Sequence, residues 1–383
     1  MVALTLGTIY VGLLLLKLTL VYAEIRRQRR ELRRAAGPDV RGVTILQPIL
    51  SGDPYLEAVL EENLRTLEAA QFFWLLDTDD AAAHVVAQRL QSRHPQRTIR
   101  TFSSAPAPDG VNPKTFKLDL ALESVTTSIV VVLDDDSRLP GDTLRALAMA
   151  LDTADLSTAL PFSRDDRHLA SRLLSQFVNN NSAMTYLPLL RFLSPVTING
   201  MCYALRLSYL RRLGGFSTIT RHLTDDLAMA RMVIAHGGRI HQSIAPVEVQ
   251  TGVSGAGSYV RQMHRWFLFA TLLMRRQTIA VNLVITVLHG LPPLLLWGLI
   301  ICVALRPTPA IIVWVTALLA LRAASLIAMQ RILSGASRMR PILSIFSELL
   351  QPWHFFHALL QRTIRWRTRR YIVLDNDCFR TCR

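Results

Sequence analysis

Cysteine is scarce in this chain. Four residues, Cys202, Cys302, Cys378 and Cys382, stand in 383, and no two share a metal-site spacing. Cys202 falls on the cytoplasmic side of the topology that the charge distribution predicts, where disulfides are uncommon. Neither a disulfide framework nor a zinc motif is expected, and Cys378 and Cys382 read as inert tail thiols. Acidic residues are also few, 28 against 43 Lys and Arg, for a net charge of +15. Clustered Arg is a phosphate-binding footprint. Here the clusters adjoin apolar runs, so anionic lipid headgroups account for them and no nucleic-acid partner is expected. The start, Met1-Val2-Ala3-Leu4, lacks the basic n-region of a cleaved signal peptide, and the basic residues come after the apolar stretch instead. That order predicts a retained anchor. Internal repeats and low-complexity segments are absent. His168, His222 and His264 stand singly and receive no role.

Hydrophobic residues make up 50% of the chain and are unevenly spread. From Val2 to Ala23 the single charge is Lys17, and the run meets the roughly 20 apolar residues that span a bilayer. Ile279 to Leu305 and Ala310 to Met329 are two more such runs, joined by Arg306-Pro307-Thr308-Pro309, and they predict a transmembrane hairpin. Arg26, Arg27, Arg29, Arg30, Arg33 and Arg34 directly succeed the first run, and an excess of Lys and Arg marks the cytoplasmic side. Residues 24–278 and the Arg-rich tail from Arg362 to Arg370 then share that side. The stretch Ile342 to Leu360, broken by Glu348, Gln351, Pro352, His354 and His357, would reverse the tail if it spanned, so it is read as interfacial.

Between Gly42 and Ile244 strand and helix patterns alternate. Strands are expected at Val43–Leu46, Phe72–Leu76, Arg97–Phe102 and Ile129–Leu133, the last apolar throughout, as in a strand covered on both faces. Helices are expected from Asp53-Pro54 through Leu67 and from Ala81 to Ser92. Such alternation predicts an α/β domain with a parallel sheet and helices on both sides, whose ligands sit at the carboxyl ends of the strands. Two acidic groups reach that edge: Asp77-Thr78-Asp79-Asp80 and Asp134-Asp135-Asp136.

Adjacent carboxylates repel unless solvated or neutralised. Mg²⁺ or Mn²⁺, held by one or two carboxylates together with substrate phosphates, suits Asp134 and Asp136; a solvated turn before the helix near Gly141 accounts for the triplet equally well. Asp225 and Asp226 open a helical run, Leu227 to Ala235. One of them, or Thr224, is explained as an N-cap; a second carboxylate there fits a general base that takes the proton of an attacking hydroxyl. Lys114 in Asn112-Pro113-Lys114 is a loop cation able to meet phosphate, or a surface lysine. If Ser258 to Phe269 is helical, Gln262, Arg265 and Trp266 share one face and offer an amide, a cation and an aromatic plate. An interfacial Trp beside a snorkelling Arg reads the same residues without function.

Taken in order, from Gln47 to Trp266, these residues resemble the ceramide glucosyltransferase-like family of glycosyltransferases: three aspartate sites and then Gln/Arg-x-x-Arg-Trp. Asn112-Pro113-Lys114, Asn199-Gly200-Met201-Cys202, Thr224-Asp225-Asp226 and the Gln262 motif correspond, and Trp366-Arg367-Thr368-Arg369-Arg370-Tyr371 resembles the family's C-terminus. The resemblance implies a GT-A fold and an inverting, metal-dependent transfer from a UDP-sugar to a lipid hydroxyl at the cytoplasmic face. By it Asp77 contacts the nucleotide, Asp134 and Asp136 the metal and diphosphate, and Asp226 is the base, while Gln262, Arg265 and Trp266 help bind diphosphate and acceptor. Here the second site is an unbroken triplet, which leaves open the pair that holds the metal. Bacterial relatives include hopanoid-associated glycosyltransferases, so the acceptor is ceramide-like or hopanoid, and the expected location is a bacterial inner membrane.

The expected organisation is an anchor at 1–23, a basic linker at 24–41, a glycosyltransferase domain at 42–278, a transmembrane hairpin at 279–330, and an interfacial helix with a basic tail at 331–383. Two other readings compete. A processive polysaccharide synthase has the same catalytic pattern, but three spans are few to line a channel. A membrane-tethered scaffold predicts that the carboxylates are dispensable.

Overall fold

The computed structural model describes residues 1–34, 42–366 and 369–382. Most of the expected linker, residues 35–41, lies outside the described residues, as do Arg367 and Thr368 of the tail motif. Its first half is not a linker. Helix α1 runs Val2–Arg34, because Glu24 to Arg34 is rich in Glu, Arg and Gln, which hold a helix without an apolar surround.

The chain forms two compact units. The α/β unit comprises Gln28–Arg164, Phe192–Gly252 and Thr363–Arg383. Its first strands and helices alternate as β1 (Val43–Pro48), α2 (Leu56–Thr66), β2 (Gln71–Asp77), α3 (Ala81–Arg93), β3 (Ile99–Ser104), α4 (Pro113–Leu122) and β4 (Ile129–Leu133). Next come β5 (Ser137–Arg138), α5 (Gly141–Ala150), β6 (Leu156–Ser163), and, after the segment α6 (Leu169–Tyr186) of the other unit, β7 (Cys202–Arg206), α7 (Leu207–Arg212), α8 (Asp225–Ala235) and β8 (Ile240–Val249). Two local expectations shift. Helix α2 starts at Leu56 because Asp53 shapes the preceding turn, its carboxylate accepting the Tyr55 and Gly252 N–H groups. Strand β3 starts at Ile99 because Arg97 N–H closes a turn on the His94 carbonyl.

The sheet order is β3-β2-β1-β4-β7-β6-β8-β5. It is mixed, not parallel as expected: β7 runs antiparallel to both β4 and β6, and β5 antiparallel to β8. Alternate β4 residues face opposite cores. Ile129, Val131 and Leu133 join Val43, Leu60 and Leu147, whereas Val130 and Val132 join Phe73, Leu118 and Phe216. Burial on both faces explains the uninterrupted apolar run, each such side chain contributing about 1.5–3 kcal/mol. The reversed β7 has a consequence for chemistry. Its first residue, Cys202, pairs with Leu133, so the preceding Asn199-Gly200-Met201 turn arrives at the carboxyl edge of β4, where Asp134 N–H donates to the Met201 carbonyl at 2.9 Å.

The tail is structured. Strands β9 (Thr363–Trp366), β10 (Arg369–Asp375) and β11 (Cys378–Cys382) form a second, antiparallel sheet within the α/β unit.

The helical unit comprises Met1–Arg27, Asp165–Arg191 and Val253–Arg362, so residues 165–191 and 253–278 leave the expected glycosyltransferase domain for it. The reason is apolar packing. Leu174 of α6 and Tyr259 and Met263 of α9 (Ala256–Arg275) are buried together, with Leu350 packed against them. Beyond α9 lie α10 (Ile279–Ile285), a π turn at Thr286–Gly290, α11 (Leu291–Leu305) and α12 (Pro309–Ser334). Among the described residues three helices are long and apolar enough to cross a membrane: Val2–Arg33, Ile279–Leu305 and Pro309–Ser334. Gly335, at φ 77°, closes the last of them in the left-handed conformation that favours glycine. The stretch read as interfacial is two short helices, α13 (Pro341–Leu349) and α14 (Gln351–Leu360), of 9 and 10 residues. Neither has the roughly 20 residues a span needs.

Candidate active site

Helix α4 begins with Asn112 as its N-cap, the side chain accepting Lys114 N–H at 2.9 Å, and with Pro113 at its first position. Lys114 is therefore in the first helical turn, not in a loop, and it is buried at 9% exposure. Its ammonium pairs with Asp134 Oδ1 at 2.8 Å and Asp225 Oδ2 at 2.9 Å and donates to the Gly200 carbonyl at 2.7 Å. A cation at a helix N-terminus opposes the macrodipole, and the two carboxylates offset that opposition. Burial alone would lower the Lys114 ammonium, but Asp134 and then Asp225 outweigh it and hold it charged, well above the ordinary lysine value.

The Asp triplet divides its work. Asp135 is buried, and its Oδ2 accepts Leu50 N–H at 2.8 Å, which ties the end of β1 to the end of β4. Asp136 Oδ2 accepts the Thr251 hydroxyl at 2.7 Å. Asp134 keeps 30% exposure beside Lys114. Burial raises Asp134 to about 6, with the Asp136 and Asp225 charges adding to the effect against Lys114.

Asp225 and Asp226 occupy the first turn of α8, where the helix dipole favours carboxylates. Thr224 is the N-cap residue, but its side chain makes no capping bond. Asp226 Oδ1 accepts Leu227 N–H at 2.7 Å. Burial first, and then the Asp225 charge, push Asp226 up to about 7. Glycine at 200 permits a close approach: a Cβ there would stand 3.0 Å from Asp226 Cβ, tighter than an ordinary contact.

Two asparagines clamp the loop that carries these aspartates. Asn112 Nδ2 donates to the carbonyls of His222 and Leu223 at 3.0 and 2.9 Å. Asn376, in the β10–β11 turn, accepts Thr224 N–H at 2.7 Å and the Thr224 hydroxyl at 2.5 Å on its side chain, and Leu223 N–H on its carbonyl. The sequence carries no signal for Asn376 beyond that of a hairpin turn, Asp375-Asn376-Asp377, since Asn and Asp favour turns generally. Replacing it, Asn376→Ala, leaves a buried N–H and a hydroxyl without their acceptor, at about 1–3 kcal/mol. We expect a lower melting temperature; a wild-type value would remove the clamp.

Asp77 ends β2 and is buried at 2%, with Lys117 Nζ at 3.5 Å. Lys117, which the sequence pattern did not single out, also donates to the Ile49 carbonyl at 3.1 Å. Among the described residues no group of three or more His, Cys, Asp or Glu side chains forms a metal cage. The edge offers instead two carboxylates, Asp134 and Asp136, the first of them raised by burial and then by its like-charged neighbours. That donor set fits a hard divalent cation completed by substrate phosphates.

The structure thus brings Lys114, Asp134, Asp225 and Asp226 together in the α/β unit. Gln262, Arg265 and Trp266 belong to the helical unit, on α9. The expected helix is present and longer, and Trp266 stacks on Phe177 of α6 with ring centroids 6.1 Å apart.

The model of the family "Glycosyl transferase family 21" matches residues 6–378. Ceramide glucosyltransferase 1 of Caenorhabditis elegans is 22% identical over 345 residues, 87% of this chain and 72% of that protein. Ceramide glucosyltransferase 3 of the same organism is 23% identical over 336 residues, 85% and 71% of the two chains. The mannosyltransferase PcManGT from Pyrobaculum calidifontis, solved with GDP-Man and Mn²⁺, is 19% identical with a TM-score of 0.48, covering 91% of this chain and 99% of that one. With the family match running through the α/β unit, the span-length helices and the tail sheet, the chain belongs to glycosyl transferase family 21 and is a glycosyltransferase whose α/β domain is built on a mixed sheet.

Proposed function

We propose that this enzyme moves a sugar from a UDP-sugar to a lipid hydroxyl, with inversion, at the cytoplasmic face of a bacterial inner membrane. The observation that carries the reading is the acidic edge of the sheet, held around a buried lysine in a chain with three span-length helices. The kinship with ceramide glucosyltransferases supports a lipid acceptor.

In this reading Asp226 accepts the proton of the acceptor hydroxyl as its oxygen attacks the sugar's anomeric carbon and the UDP bond breaks on the opposite side. A carboxylate raised to about 7 is basic enough for that transfer and still largely ionised just above neutrality. Lys114 holds Asp134 and Asp225 in place, Asp77 serves the nucleotide, and Asp134 and Asp136 hold Mg²⁺ or Mn²⁺. A cation held there would supply charge neutralisation to the diphosphate. Gln262, Arg265 and Trp266 are assigned to diphosphate and acceptor. The basic residues from Arg26 to Arg34 are assigned to anionic headgroups.

Membranes given a panel of labelled UDP-sugars, with lipid products identified by mass spectrometry, test the reading. A singly or doubly glycosylated lipid of inverted anomeric configuration is expected. A polymer ladder would instead establish a polysaccharide synthase. Transfer is expected to vanish in excess chelator and to return with Mg²⁺ or Mn²⁺; full activity in chelator would remove the metal role of Asp134 and Asp136.

A further inference from the structure

A cavity of about 50 Å³ lies within the helical unit, and its wall includes Lys17, His289, Arg322 and Glu348. Part of that wall is a closed network. Arg322 pairs with Glu348 at 2.6 Å and donates to the Tyr10 hydroxyl at 2.9 Å and to Ser344 Oγ at 2.8 Å. Tyr10 donates to Glu348 at 2.9 Å, and Asn180 donates to Ser344 at 2.8 Å. These groups satisfy one another, and a structural ion pair explains them.

Lys17 is not explained that way. It is 8% exposed and stands about 9 Å before the end of the apolar run at Ala23, at 1.5 Å per residue. Its ammonium has three donors, and the hydrogen bond it makes is to the Leu288 carbonyl, at 3.0 Å. That carbonyl belongs to the π turn at Thr286–Gly290, a distortion common at functional sites. The same turn puts His289 on the cavity wall. Lys17 and Arg322 against Glu348 leave the lining with one surplus positive charge. An ionisable group held inside a span marks a binding site more often than it marks packing. At roughly 10–15 Å³ per water, the cavity has room for about four water-sized atoms, the scale of a phosphate's oxygens.

We propose that this cavity seats the phosphate of one membrane phospholipid, with the Lys17 ammonium supplying the charge and the His289 ring a further hydrogen bond. A lipid is favoured over a free anion because Lys17, His289 and Arg322 all sit on span-length helices. Beside them, Leu15, Leu16, Val287 and Leu294 are exposed apolar side chains that acyl chains would cover. The site does not depend on the sugar-transfer reading.

The full chain in neutral detergent, equilibrated with phosphatidylglycerol and examined by native mass spectrometry, provides the test. Wild type is expected to retain one phospholipid. Lys17→Met should retain at least about 10-fold less, the scale of one lost hydrogen bond to a charged group, and Lys17→Arg should restore retention. Leu14→Phe, which keeps every charge but fills the cavity, should lose the lipid too, and it decides the matter if Lys17→Met does not fold. Retention at the wild-type level by Lys17→Met and Leu14→Phe overturns the site. A parallel titration with inorganic phosphate separates the sources: binding of phosphate without retention of lipid overturns the lipid assignment.

Discussion

Asp226→Asn is expected to reduce sugar transfer by about 10²–10⁴-fold, the range associated with a positioned general base, while UDP-sugar binding persists. The same substitution should make the protein more stable above neutral pH. Asp226 is raised to about 7 in the folded chain, against roughly 3.9 in an unfolded one. A carboxyl with a raised folded value favours folding most below the unfolded pKa, and it loses that contribution as pH climbs toward about 7. Asparagine carries no charge to repel Asp225 and so escapes the loss. Activity and stability therefore move in opposite directions, which separates a missing base from a damaged fold. In wild type, transfer should rise with pH through about 7 as the base ionises, and the residual rate of Asp226→Asn should lack that limb. Two measurements decide: the pH–rate profile and melting curves at pH 5 and 8. Retained turnover in the variant would end the assignment.

Lys114→Met should be the most damaging single change to the fold of the site. Asp225 is 10% exposed and Asp134 30%, and without the lysine they face each other uncompensated. Breaking a buried pair by removing one partner costs about 3–5 kcal/mol, and the partial exposure of Asp134 puts this case near the lower end. The deficit depends on pH with a definite sign. Asp134 already titrates at about 6 with the lysine present, and losing the cation raises it further. The deficit should thus be full near pH 8 and shrink toward pH 5, as the cluster takes up protons. A melting deficit independent of pH would mean that Lys114 acts through packing alone.

The acidic edge was legible in the sequence because it depends on a local pattern. An apolar run covered on both faces must be a central strand, and the residues just after such a run lie at its carboxyl end, as Asp77 and Asp134 do. Asp226 was legible for the same kind of reason, since two carboxylates at a helix start exceed what capping needs. Lys114 was legible as a cation but not as a buried one. Its surroundings come from residues 20 and 111 positions away in the chain, Asp134 and Asp225. The orientation of β7 was not legible either, because Cys202–Arg206 has the same apolar character whichever way it runs.

Composition and hydropathy by themselves determined three span-length helices, an α/β domain and an acid-lined sheet edge, because each depends on residues close in sequence. Tertiary structure alone decided the rest. It set β7 antiparallel, turned Asp135 to the backbone of Leu50, folded the tail so that Asn376 holds the loop before Asp225, and left Lys17 beside a cavity in the helical unit. Each of those depends on a partner far along the chain, and a hydrogen bond or ion pair of that kind leaves no periodicity in the sequence that makes it.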